Sequence, residues 1–184
     1  MITLIPIVTQ ETLQNTLDET LGVDIFVVQV DKNVIPKQCY LEYADNTQQS
    51  LIDQAIILSN ENAQDVLQTA QLRLYQSLIT VANNTIIAKE KPPFTETDVQ
   101  EATLWLQDQT LPCPGCVLFL SVREGITTQE AAQYVIDSQT IYQTFIDQVN
   151  SIKNNGQNGL MNSTDVVSCK NIAQTSMDQM KNLL

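Results

Sequence analysis

The chain has 184 residues, a net charge of −12 and no histidine. Its length suits one compact domain, and its nine Lys and Arg residues form no cluster, which argues against nucleic acid or a membrane surface as a partner. The missing histidine excludes Ser-His-Asp and Cys-His catalysis and the common zinc ligand sets. We therefore expect no catalytic residue, no metal and no cofactor.

The opening residues carry no sign of a targeting segment. The apolar run is short, no basic residue precedes it, and Glu11 follows early. No later stretch approaches the length of a membrane span. We expect a soluble product made in a cytoplasm.

The first strand is expected in "ITLIPIV", residues 2–8. Its proline confines it to an edge or an end of a sheet. An exposed edge strand can extend the sheet of another protein, so the candidate partner-binding residues are Ile2, Leu4, Ile5, Pro6 and Ile7. The alternative, that this strand pairs only within its own domain, stays open.

A short helix and a hairpin are expected next. Leucines at positions 13, 17 and 21 predict the helix, with Gly22 as its stop. The runs "VDIFVVQV" and "VIPKQCYLEYA" flank the turn-like "DKN" and predict two paired strands. Residues 51–58, "LIDQAIIL", are ambiguous between strand and helix, because a short apolar run declares no period.

From about Asn62 onward the apolar spacing is that of helices. Prolines at 92 and 93 interrupt the pattern, and Thr95 or Thr97 can cap the helix that follows. The fold class predicted is α+β, mainly α. It has a small N-terminal hairpin or sheet piece in residues 1–60 and a bundle of antiparallel helices in residues 61–184.

Three further helices complete the expected bundle. One spans about residues 114–123 and ends at Gly125, and Thr127 with Glu130 forms a capping box for the next. That second helix is expected to end at "KNNGQNG", whose Asn and Gly residues suit left-handed backbone. A last helix lies in "NSTDVVSCKNIAQTSMDQMKNLL". The aromatic side chains on the apolar helix faces are interpreted as core, with a partner-binding face as the alternative: Trp105, Tyr142 and Phe145.

Cys113 and Cys116 stand two residues apart, each after a proline. As a redox pair they would begin a helix whose dipole lowers the pKa of the first thiol. No strand of a β-α-β unit precedes them, however, and a zinc site would also need Cys39 and Cys169 nearby. The simpler interpretation is two half-buried apolar residues at the start of a helix.

Residues 66 to 165 resemble a helical module of small tail-fibre-associated and tail-fibre assembly proteins of tailed bacteriophages. The stretches that carry the resemblance are "EATLWLQDQTLPCP", "VLFLSVREGITTQEAAQYVI" and "FIDQVNSIKNNGQNGL". Their matching positions are Glu101, Ala102, Trp105, Pro112, Pro114, Leu118, Arg123, Gly125, Thr127, Glu130, Ala132, Ile136, Phe145, Val149, Ile152, Gly156 and Leu160. The cysteines depart from the family's apolar or small residues after the proline.

The resemblance implies a non-enzymatic structural or interaction protein of a bacteriophage tail. Its expected partners are other tail proteins, of the tail fibre or baseplate, and a homo-oligomer is compatible with it. The expected location is the tail of the virion, with the host cytoplasm during assembly. One alternative is a soluble assembly chaperone that is absent from the mature virion. A second is a thiol–disulfide or metal-binding protein that uses the two neighbouring cysteines.

Overall fold

The computed structural model describes residues 1–6, 8–21, 25–29 and 39–184. Within these residues there are three strands and six helices, which confirms the α+β, mainly α class. The strands are β1 (Ile2–Ile5), β2 (Ile25–Gln29) and β3 (Cys39–Tyr43). The helices are α1 (Gln10–Leu21), α2 (Gln49–Ala88), α3 (Glu96–Gln107), α4 (Gly115–Glu124), α5 (Thr128–Met161) and α6 (Val166–Lys181).

The chain divides into two compact units. The first contains Met1–Leu78 and Gly156–Thr175, and the second contains Ile79–Asn155 and Ser176–Leu184. The division expected between residues 60 and 61 falls within α2 and stays a prediction.

The first unit contains a small antiparallel sheet with the strand order β1-β3-β2. Its period-2 alternation places Ile5, Val27 and Leu41 in a core with Leu13 and Leu17 of α1. The two strands predicted as a hairpin do pair, with Ile25 opposite Tyr43. The "DKN" turn and the Gly22 stop lie outside the described residues.

The ambiguous stretch 51–58 is helical, and α2 begins thirteen residues before the predicted start at Asn62. The first buried positions of α2, Ile52, Ala55 and Ser59, are three and four residues apart, which is the helical period. Ser59 is buried without penalty because its hydroxyl donates to the Ala55 carbonyl at 2.6 Å.

Helix α5 does not end at "KNNGQNG", so that prediction is wrong. It runs to Met161, through both glycines. The reason is packing: a Cβ on Gly159 would lie 3.0 Å from a methyl carbon of Ile172 on α6. Gln71 donates to the Leu160 carbonyl in the last turn of α5 and to the Ser163 carbonyl just after the helix, at 2.9 and 3.2 Å.

The second unit has its own core, formed where α3, α4 and the start of α5 meet. Trp105 and Phe145 are buried, which confirms the core interpretation for both, and Tyr142 is half-buried. The three caps predicted for this unit are present, among them the Thr127–Glu130 capping box at the start of α5. Thr95 forms a capping box with Asp98, and Gly125 ends α4 with a φ of 66°.

Candidate partner-binding edge of the N-terminal sheet

The register of the sheet fixes which backbone groups of β1 are free to bind. Met1 exchanges two hydrogen bonds with Tyr43 of β3, at 2.7 and 3.1 Å. Because antiparallel pairs alternate along a strand, Thr3 and Ile5 also turn their N–H and C=O groups toward β3. The N–H and C=O groups of Ile2 and Leu4 therefore point away from the sheet.

The opposite edge of the sheet, along β2, is closed by side chains from α1. The Val27 N–H donates to Gln14 Oε1 at 2.8 Å, and Gln14 Nε2 donates to the Ile25 carbonyl at 3.0 Å. Gln10 Nε2 donates to the Val27 carbonyl at 2.8 Å. The two glutamines thus occupy the positions that an added strand would need. We call this arrangement the glutamine guard.

No described residue closes the β1 edge in the same way. Within the described part of the chain, β1 pairs with β3 alone. The backbone groups of Ile2 and Leu4 thus form an open edge, which presents two donors and two acceptors. We call this the β1 edge.

At the β1 edge, Ile2 and Leu4 project from the face of the sheet that is turned away from the core, and they are 66% and 62% exposed. The exposed Glu42 of β3 lies beside Ile2 on this face. The register aligns Leu4 with Tyr40 and Val28 in one row across the sheet. An added strand could therefore form backbone hydrogen bonds and also cover large apolar side chains.

The structure distributes the five predicted residues over different roles. Ile2 and Leu4 lie at the β1 edge with exposed side chains, whereas Ile5 is 5% exposed and belongs to the core. Pro6 is exposed and has no N–H to donate, so it limits the length of the edge. Ile7 lies outside the described residues.

Gln10 and Gln14, which close the β2 edge, are not among the candidate residues that the sequence indicates. They stand four apart on a helix between two strands, so they share one face of that helix. This spacing is the signal that could have drawn attention to them. It does not show which backbone they bind, because that depends on how the helix packs.

Cys113 and Cys116 lie at the junction before α4 and at its start, as free, half-buried thiols. Burial raises the pKa of both, and the Asp98 carboxylate beside Cys116 raises the pKa of that thiol further. Neither thiol therefore has the lowered pKa that the redox alternative would require. A raised pKa lowers the fraction of the nucleophilic thiolate near neutral pH.

The other two cysteines belong to the first unit and are fully buried. Cys39 lies in β3 and Cys169 in α6. Among the described residues, no group of three or more Cys, Asp or Glu side chains is placed to hold a metal ion.

A cleft of about 640 Å³ in the first unit is lined by Asp65, Arg73 and Lys170 among other residues. In the described part of the chain none of these three charges forms a salt bridge.

No family model, curated protein or solved structure matches this chain. Among the described helices, none combines the length and the hydropathy needed to cross a membrane.

Proposed function

We propose that this chain is a non-enzymatic structural protein of a bacteriophage tail, associated with the tail fibre or baseplate. It binds a neighbouring chain of the tail by adding β1 to a sheet. Its place is the virion tail, reached from the host cytoplasm during assembly.

The observation that carries the proposal is the difference between the two edges of one sheet. Side chains of α1 guard β2, while the groups of Ile2 and Leu4 are left free. Natural sheets protect their edges against unwanted pairing. A sheet with one guarded edge and one open edge is typical of a protein that adds a strand of a partner at one edge only.

The assignment to a phage tail comes from the resemblance in residues 66–165. In the helical module there, Thr127 forms a capping box and Gly125 ends α4. Trp105 is buried in the core between these helices. These features are compatible with a rigid helical unit. A mainly neutral polar surface with a −12 charge suits contact with protein rather than with nucleic acid.

The proposal is tested by finding out whether the chain is a stoichiometric part of purified virions and whether the β1 edge is needed for this. Leu4→Lys places a charge on the edge, and Leu72→Lys is the matched control. Leu72 is 64% exposed against 62% for Leu4, but it lies on α2. Quantitative mass spectrometry of particles should find the wild type and Leu72→Lys, and should find Leu4→Lys strongly depleted.

Two other results would contradict the proposal. A chain that is absent from virions but bound to fibre chains in the infected cell would indicate an assembly chaperone. Equal amounts of Leu4→Lys and Leu72→Lys in virions would show that association does not use the β1 edge.

A further inference from the structure

The β1 edge is complementary to a second copy of itself. Its free groups alternate as the N–H and C=O of Ile2 followed by the N–H and C=O of Leu4. In an antiparallel arrangement, Ile2 of one copy stands opposite Leu4 of the other, and Leu4 stands opposite Ile2. Thr3 then lies on the two-fold axis, and each free donor meets a free acceptor.

The side chains fit the same register. Ile2 and Leu4 both project from the exposed face, where they are largely accessible. Opposing residues of an antiparallel pair have Cβ atoms about 5 Å apart, so each isoleucine would contact a leucine of the other copy. The pairing therefore removes from water the two apolar side chains that are otherwise exposed at this edge.

Pro6 and the glutamine guard define the limits of such an interface. Pro6 has no N–H, so the pairing ends after Leu4. Among the described residues, the guard obstructs a third copy at the β2 edge, because Gln10 and Gln14 already bond Ile25 and Val27. The symmetric arrangement is closed, as expected for a two-fold dimer.

We propose that two copies of this chain pair through β1 into one continuous sheet, with three strands from each copy. The inference rests on the proposed function, since it names the chain that occupies the β1 edge in the tail. The interface is short, so the dimer dissociates on dilution. Each copy carries −12 charge, and added salt therefore strengthens the association by screening their repulsion.

The test is sedimentation equilibrium of the purified full chain over a wide concentration range, at low and high salt. Leu4→Pro removes one outward N–H and leaves the hydrogen bonds between β1 and β3 in place. Edge strands tolerate a proline at such an outward position. Ile2→Lys is a second variant, in case the proline disturbs folding, and Leu72→Lys is the control. Thermal unfolding of each variant verifies the fold.

The expected result is a reversible monomer–dimer equilibrium for the wild type and Leu72→Lys, shifted toward dimer by salt. Folded Leu4→Pro and Ile2→Lys should remain monomeric. A wild type that is monomeric at all concentrations, or a dimer that survives both variants, overturns the inference. A monomeric wild type that still needs Leu4 for incorporation into virions would leave the proposed function standing. A dimer that never enters virions would support the inference and contradict the proposed function.

Discussion

The side-chain amide of Gln14 binds the backbone of β2 as a neighbouring strand would. Its Oε1 accepts from Val27 N–H at 2.8 Å, and its Nε2 donates to the Ile25 carbonyl at 3.0 Å. One helical side chain thus satisfies two backbone groups at a sheet edge. The effect is to leave β1 as the one described edge at which another strand can add.

Replacing Gln14 by alanine should destabilise the fold and open the β2 edge. Loss of two partly buried hydrogen bonds is expected to cost about 1–2 kcal/mol in the free energy of unfolding. The freed edge should also allow larger assemblies. Chemical denaturation measures the first effect and light scattering the second.

Gln49→Ala is the control for this prediction. Gln49 bonds an exposed carboxylate one turn along its own helix, Asp53 at 2.9 Å, so its loss should change stability by less than about 0.5 kcal/mol. If Gln14→Ala were as stable and as soluble as Gln49→Ala, the glutamine guard would have no effect on the sheet.

Gly159 should resist substitution, whereas Gly115 should not. An alanine Cβ at position 115 meets no atom within 4 Å, so Gly115→Ala should raise stability by about 0.5–1 kcal/mol. At position 159 the Cβ meets Ile172 at 3.0 Å. Gly159→Ala should give no such gain, and Gly159→Leu should lose about 1–3 kcal/mol through overpacking. Equal gains from the two alanine variants in urea denaturation would rule out the close approach of α5 and α6.

The carboxylates that cap helices should make stability depend on pH in the acid range. Hydrogen bonds from the Thr127 N–H and hydroxyl hold the pKa of Glu130 below its ordinary value, and those from the Ser168 hydroxyl and N–H do the same for Asp165. Because the folded pKa is lower than the unfolded one, this stabilisation is present above about pH 4. It is lost as the pH falls through the folded pKa.

Thermal unfolding between pH 7 and pH 3 measures this dependence, with Glu130→Gln as the comparison. Glutamine keeps the capping geometry without a titrating group. The variant should lose less stability on acidification than the wild type does. Identical pH profiles would mean that the Glu130 carboxylate has the same pKa in the folded and unfolded chain.

Cys113 and Cys116 should react slowly with iodoacetamide near neutral pH. Burial raises the pKa of both thiols, so each should be alkylated more slowly than free cysteine. Asp98→Asn removes the negative charge beside Cys116 and should speed alkylation there more than at Cys113, which serves as an internal control. Alkylation faster than that of free cysteine would instead support the thiol–disulfide alternative.

Features that depend on neighbouring residues could be predicted from the sequence. The Thr127–Glu130 capping box spans four residues and is present, with the Thr127 N–H 2.8 Å from the Glu130 carboxylate. The edge position of β1 could also be predicted, because Pro6 has no backbone N–H to donate to a neighbouring strand, whatever the strand packs against.

Features that depend on packing could not be predicted. The stretch "KNNGQNG" predicts a helix end, but the small size of Gly159 serves the contact with Ile172 on another helix. The glutamine guard joins residues 11 to 17 positions apart, and the spacing of Gln10 and Gln14 alone does not identify their acceptors. The sequence does not distinguish the buried Ile5 from its exposed neighbours as a candidate binding residue, because the short strand shows only a weak alternation.

The most direct test of the β1 edge is the exchange rate of single backbone amides, measured by NMR on the wild-type chain at low and high concentration. At low concentration the Leu4 N–H should exchange rapidly, because it faces water, while the Thr3 N–H should be protected by β3. At high concentration, or with a bound tail partner, Leu4 should become protected as well. A Leu4 amide that is protected already in the dilute monomer, or that stays unprotected in the associated state, would contradict strand addition at this edge.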